Sequence, residues 1–159
     1  MNTPVFPLID IYDEYFVDLV PTEAHLSRAP VTEILEGDNH SELYDGEGNV
    51  WHYHLMSKAF KDTFWNRVLA YTLYNPKYKA TPVWTKVREY HIEDLKEVLL
   101  DCIDRDEEVL TQYERASVIR QDIEIAFSFN DLVDTLNKYV FDVNKKQLLA
   151  ERQEREENR

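Results

Sequence analysis

Apolar residues recur along this chain with two periods, and the changes from one period to the other set out the expected elements. Residues 8–20, LIDIYDEYFVDLV, carry both. Ile9, Tyr12, Phe16 and Leu19 or Val20 suit one side of a helix, whereas Ile9, Ile11, Tyr15 and Val17 would share a strand face. The spacing is assigned to a helix that Pro21 closes. Thr22 then caps a short turn through Leu26, Pro30 breaks the chain, and VTEIL (31–35) reads as a short strand. In 41–56, SELYDGEGNVWHYHLM, two β-compatible runs flank Asp45-Gly46-Glu47-Gly48-Asn49, residues that tolerate positive φ. An antiparallel hairpin is expected there.

Residues 58–74 predict a helix, because Phe60, Phe64, Val68 and Tyr71 recur at helical spacing with Trp65, Leu69 and Thr72 on adjacent rows. Asn75-Pro76 ends it, and 76–90 reads as a loop leading into a strand at PVWTKVREY. From His91 the period is helical again, with Leu95, Val98, Leu99, Cys102 and Ile103 as the apolar stripe. Residues 106–127 predict a second helix. Its inward side runs from Val109 to Ile119, Ile123, Ala126 and Phe127, in preference to a strand face of Ile123, Ile125, Phe127 and Phe129. Asn130 or Ser128 caps a last helix, DLVDTLNKYVF, which buries Leu132, Val133, Leu136, Tyr139 and Val140. The expected fold class is α+β and predominantly helical, about five helices with a small antiparallel β-hairpin near 41–56. Residues 1–142 are expected to form a single globular domain. Residues 143–159 offer only Leu148, Leu149 and Ala150 as apolar contact and are expected to be a charged, projecting helical tail.

Composition narrows the class. A chain of 159 residues that is 43% hydrophobic and 13% aromatic can bury a core. Three glycines argue against a turn-rich all-β fold and against a glycine-rich phosphate loop. The N-terminus has no basic start or long apolar run, and no segment approaches the roughly 20 apolar residues that span a bilayer. A cytoplasmic protein without membrane partners is expected. The single Cys102 excludes an intramolecular disulfide and falls in an apolar row, as a small buried hydrophobe does.

Charge changes the picture most. The net charge is −13, but it is segmented: −10 over 1–50, +5 over 51–90, −9 over 91–142 and +1 over 143–159. The basic segment also holds ten of the twenty aromatics. One reading is intramolecular, an aromatic core whose Lys and Arg pair with flanking acids. Even so, the positive segment cannot neutralise the two acidic ones. On the helix expected after His91, Glu93, Glu97, Asp101, Asp104 and Glu108 step by four, four, three and four, which lines them up on one face. Like charges at that spacing weaken a helix by a few tenths of a kcal/mol per pair unless packing or a partner offsets them.

Candidate chemistry is sparse. His52 and His54 would share a strand face and could hold one metal, with His25, His40, His91 or an acid completing the site. The cupin pattern of His-x-His on a strand is followed by a glutamate, and no acid occurs in Leu55–Phe60. The opposite reading has Trp51, Tyr53 and Leu55 facing the core and both histidines facing water. Asp45–Asn49 places oxygens at alternate positions, but Val50 and Met56 stand where an EF-hand needs glycine and glutamate. The whole tract 41–56, SELYDGEGNVWHYHLM, resembles one copy of the tyrosine–aspartate repeat of large toxin shells; without a second copy it assigns no family. No nucleophile elbow, Walker loop or dinucleotide fingerprint occurs. Bases interleaved with aromatics over Tyr74–Tyr90 match what single-strand nucleic-acid binders use, although the acid elsewhere opposes a polyanion.

These observations favour a small acidic module, without catalysis or cofactors, that binds and neutralises or inhibits a basic protein. Glu93, Glu97, Asp101, Asp104 and Glu108 would form its contact face, with carboxylates standing where a basic enzyme expects phosphates. Bacterial immunity proteins and phage-encoded inhibitors have this general character, a comparison that rests on composition. A monomer or small homo-oligomer is expected, and nucleic acid is not the expected partner. Two alternatives stand beside it: a structural or assembly protein making oligomeric contacts, and a metal-dependent enzyme centred on His52 and His54.

Overall fold

The stretch LIDIYDEYFVDLV is two strands and a turn. In the computed structural model, which describes residues 3–36, 38–72, 75–105 and 114–139, β1 runs Leu8–Tyr12 and β2 runs Phe16–Val20. Between them Asp13 and Glu14 take φ of 50° and 72°. Two successive left-handed residues end any helix, and they reverse the chain with a twist that matches the flanking strands. Leu8 through Ile11 are all buried, so β1 is covered on both faces and lacks the alternation that marks a half-exposed strand.

The remaining strands are β3 (Arg28–Pro30), β4 (Asp38–Tyr44), β5 (Asn49–Met56), β6 (Lys77–Lys79) and β7 (Thr81–Glu89). Among the described residues the helices are α1 (Val31–Glu36), α2 (Phe64–Ala70), α3 (Ile92–Arg105), α4 (Ala116–Ile125) and α5 (Phe129–Tyr139), with a 3-10 turn at Glu23–Leu26. The fold is α+β, but the expectation of a predominantly helical chain with one small hairpin is overturned. Seven strands occur among the described residues, five of them in one mostly antiparallel sheet, at 41% helix to 31% strand. The expected tail, 143–159, and the first part of the helix expected over 106–127 lie outside the described residues.

Chain contacts divide the protein into two compact units: Met1–Leu8 with Val20–Glu89, and Ile9–Leu19 with Tyr90–Arg159. The first, the sheet unit, contains β4, β5 and β7 side by side and the separate pair β3–β6. β5 pairs antiparallel with β7 along its whole length, Asn49 opposite Glu89 through Met56 opposite Thr81, with an irregularity after Val50. Its core joins Leu8, Val20, Leu43 and Trp51, with Phe6, Leu26, Tyr53 and Trp84 against them. The β4–β5 turn is locked by buried Asp45. Its carboxylate accepts from the amides of Glu47 (3.0 Å) and Asn49 (2.9 Å) and from the indole Nε1 of Trp51 (2.8 Å). Gly48 supplies the positive φ that this turn requires.

VTEIL forms α1 and not a strand, because its N-terminus is capped from a distance. The Val31 amide donates to Asn75 Oδ1 at 3.0 Å, and Asn75 Nδ2 donates to Thr32 Oγ1 at 3.0 Å. α2 is much shorter than expected. Thr63 caps it, accepting the Asn66 amide on its hydroxyl at 3.2 Å, so residues 58–63 stay outside the helix.

In the second, the helical unit, α3 buries Leu95, Leu99, Cys102 and Ile103, α4 buries Ile119 and Ile123, and α5 buries Leu132, Val133, Leu136 and Tyr139. A capping box starts α5: the Asp131 amide donates to Ser128 Oγ (3.2 Å) and the Ser128 amide to Asp131 Oδ2 (2.8 Å). Ser128, rather than Asn130, is therefore the cap.

Candidate functional site

The two units divide the charge very unequally. The sheet unit holds nine Asp or Glu and eight Lys or Arg, a net of −1; the helical unit holds twenty-two acids and ten bases, a net of −12. Within the sheet unit the bases of the middle segment nearly balance the acids, and Glu42 of the first fifty residues is paired with one of them. Arg88 makes a bidentate pair with Glu42 (2.5 and 2.7 Å) that Tyr44 joins. The guanidinium beside Glu42 holds its carboxyl below the ordinary glutamate range, while burial and that same carboxylate raise the Tyr44 phenol. The molecule's surplus acid belongs to the helical unit.

α3 carries the stripe that the sequence predicts. Asp94 accepts the His91 amide at 2.9 Å and starts the helix, and its buried stripe turns Glu93, Glu97, Asp101 and Asp104 to solvent. Glu108 lies outside the described residues. Three of the four described acids have cations of their own. Glu93 pairs with Lys96 (3.2 Å), Asp101 with Arg105 (2.8 Å) and Asp104 with Arg120 of α4, and Arg105 also reaches Glu14 at 2.9 Å. Glu97 has no ion-pair partner among the described residues. The Asp101 and Asp104 pairs are largely exposed and contribute about 0–1 kcal/mol each, so an incoming cation can exchange with them at little cost. Elsewhere in the unit, burial and then Asp18, Asp10 and Asp13 raise the Tyr12 phenol.

A second feature was not visible as a site in the sequence. α4 ends at Ala126, whose carbonyl accepts the buried Lys96 ammonium at 3.1 Å, a favourable place for a cation against the helix dipole. Phe127, expected inward, is instead 92% exposed, and Ile125 is 57% exposed. They border an open cleft of about 350 Å³ that is also lined by Asp122, Asp131 and Asp134. Asp131 is occupied by its cap: the Ser128 hydroxyl and the Phe127 amide hold its carboxyl below the ordinary range. Asp122 accepts the Tyr139 hydroxyl at 2.7 Å. Asp134, together with Glu124 on the exposed side of α4, has no ion-pair partner among the described residues. The sequence signal was the crowding of Ile123, Ile125, Phe127 and Phe129. One helix end buries only Ile123 and Phe129 of these four and leaves the other two outside.

The histidines are not brought to a metal site. On β5 Trp51 and Leu55 are buried, while His52, half-buried, and exposed His54 alternate with them opposite Thr85 and Val83. Among the described residues no group of three His, Cys, Asp or Glu is arranged to hold a metal ion. Asp45 spends its oxygens on the hairpin. Cys102 is buried, and burial pushes its thiol up to about 11, away from nucleophilic chemistry. No described helix is long and apolar enough to cross a membrane. Comparison with protein-family models, curated proteins and solved structures finds no match to this chain.

Proposed function

We propose that this chain is a small acidic protein-binding module that neutralises or inhibits a basic protein, and that the helical unit is its binding surface. The observation that carries the reading is the exposed Ile125–Phe127 pair at the mouth of a carboxylate-lined cleft. Protein interfaces are anchored by aromatic side chains within a polar rim. Here Phe127 would be the anchor, and Glu124, Asp134 and the α3 acids the rim. A basic partner docks its apolar contact on Phe127 and its Lys or Arg on Asp134 and Glu97. The unit's net −12 speeds encounter and makes the association rate fall with salt. Surface carboxylates one helical turn apart suit an enzyme that otherwise binds phosphates, so a nucleic-acid-handling protein is the class of partner that fits best.

Affinity capture on the immobilised full chain, read by mass spectrometry, tests this. The parent should retain a basic protein that elevated salt releases. Phe127→Ala, or Asp134→Lys with Glu97→Lys, should lose it while melting like the parent. If parent and variants retain the same proteins, the helical unit is not the binding surface.

A further inference from the structure

The sheet unit leaves a helix face uncovered. On α2 and the turn after it, Phe64 is 72%, Trp65 71%, Tyr71 64% and Val68 42% exposed. Their spacing gathers them on one side of the helix, and the Phe64 and Trp65 rings meet edge to face at 5.5 Å. The sequence places this stripe at the core; the structure turns it outward. Contiguous exposed aromatics mark interaction surfaces.

The stretch that carries α2 is cationic: over 58–70, Lys58, Lys61 and Arg67 stand against Asp62 alone. Arg67 is paired with Asp62, Arg88 with Glu42 and Lys86 with Glu89. Arg28, Lys58, Lys61, Lys77 and Lys79 have no ion-pair partner among the described residues. They gather at one corner. Arg28 on β3 stands directly opposite Lys79 on β6, and Lys77 lies two residues along on the same face. Like charges placed opposite each other weaken a strand pair unless an anion offsets them. The segment leading to α2 lies on the same strand: Ser57 Oγ donates to the Lys79 carbonyl at 2.7 Å, and the Phe60 ring meets Tyr78 at 5.8 Å. That brings Lys58 and Lys61 to the corner from which the aromatic helix departs. The patch therefore asks for a surface offering carboxylates and apolar side chains together.

We propose that its occupant is the helical unit of a second copy of this chain. That unit carries the complement on both counts: net −12, with Glu124 and Asp134, which have no ion-pair partner among the described residues, beside exposed Ile125 and Phe127. Trp65 and Phe64 dock on Ile125 and Phe127, and Lys58 and Lys61 meet the carboxylates. The inference rests on the reading that the helical unit receives cationic, aromatic surfaces, since α2 offers the chemistry assigned there to the basic partner. The contact joins two different patches, so it is heterologous and propagates head to tail or closes a ring.

Sedimentation of the full chain over a wide concentration range at physiological salt tests this. The parent's mass should rise with concentration. Trp65→Ala with Lys61→Glu, and separately Phe127→Ala with Asp134→Lys, should each weaken association at least about tenfold, the loss expected of an anchoring aromatic. Mixed together, those two variants should form a one-to-one heterodimer, because each keeps the patch that the other lacks. A parent that stays monomeric overturns the proposal. So does association that survives the Phe127 variant, which would mean α2 pairing with itself. A monomeric parent that binds a single-stranded oligonucleotide or phosphatidylserine vesicles through Trp65 would assign the patch to a polyanion or lipid instead. The α2 variant should still capture the basic protein. Self-association without such capture would remove the functional reading alone, and capture without self-association would remove this proposal alone.

Discussion

The sheet unit and the helical unit both contain carboxylates, and they use them in opposite ways. In the sheet unit the informative acids are internal. Asp45 is fully buried with each oxygen engaged, and Glu42 is clamped by Arg88 and Tyr44. In the helical unit the α3 acids, Glu124 and Asp134 stand on the surface, answered by weak pairs or by no ion-pair partner among the described residues, and the unit's net charge is −12 rather than −1. A carboxylate's surroundings, not its presence, decide whether it holds the fold or waits for a partner. An acidic composition alone says nothing of which.

The comparison can be broken by removing acids from each unit in turn. Asp45→Ala should have the largest effect. It strands the buried indole N–H of Trp51 and two turn amides, and should cost about 3 kcal/mol in chemical denaturation. Ser128→Ala removes the cap of α5 and should cost about 1 kcal/mol, a structural loss in the helical unit that leaves its net charge unchanged. Glu42→Gln should cost less than about 1 kcal/mol, because the pair with Arg88 is partly exposed and screened. It should also change the pH profile. The folded carboxyl is held below its ordinary value, so its stabilisation is present above about pH 4.3 and is lost as pH falls through the lowered folded value. In a series of acid melts the Gln variant should lack that part of the decline. The smallest effect on stability belongs to Glu97→Lys or Asp134→Lys, within about 0.5 kcal/mol as surface changes usually are. If either destabilises the fold as much as Asp45→Ala, the contrast between the units fails.

What the sequence revealed follows the same physics. The hairpin at 41–56, the strand after Pro82 and the helices from Ile92 and Phe129 were legible because each carries its own signal: positive-φ residues, alternation, or a cap with an apolar stripe. β1 and β2 were hidden because β1 is buried on both faces and its turn is made by Asp13 and Glu14 without a glycine. α1 was hidden because its cap is the side chain of Asn75, far along the chain. The stripe of α3 was legible, yet its pairing was not, since Arg120 arrives from another helix. Phe127 and the α2 aromatics were read as core, because helical spacing identifies an apolar face but not whether anything covers it.

The most direct measurement compares equal charge changes in the two units. Once a basic partner is in hand, its association rate at physiological salt should fall at least about tenfold with Glu97→Lys and Asp134→Lys, and stay within about twofold with Glu23→Lys and Glu47→Lys, exposed acids of the sheet unit. Equal slowing by both pairs would mean that only the overall charge matters and that the helical unit holds no particular binding face.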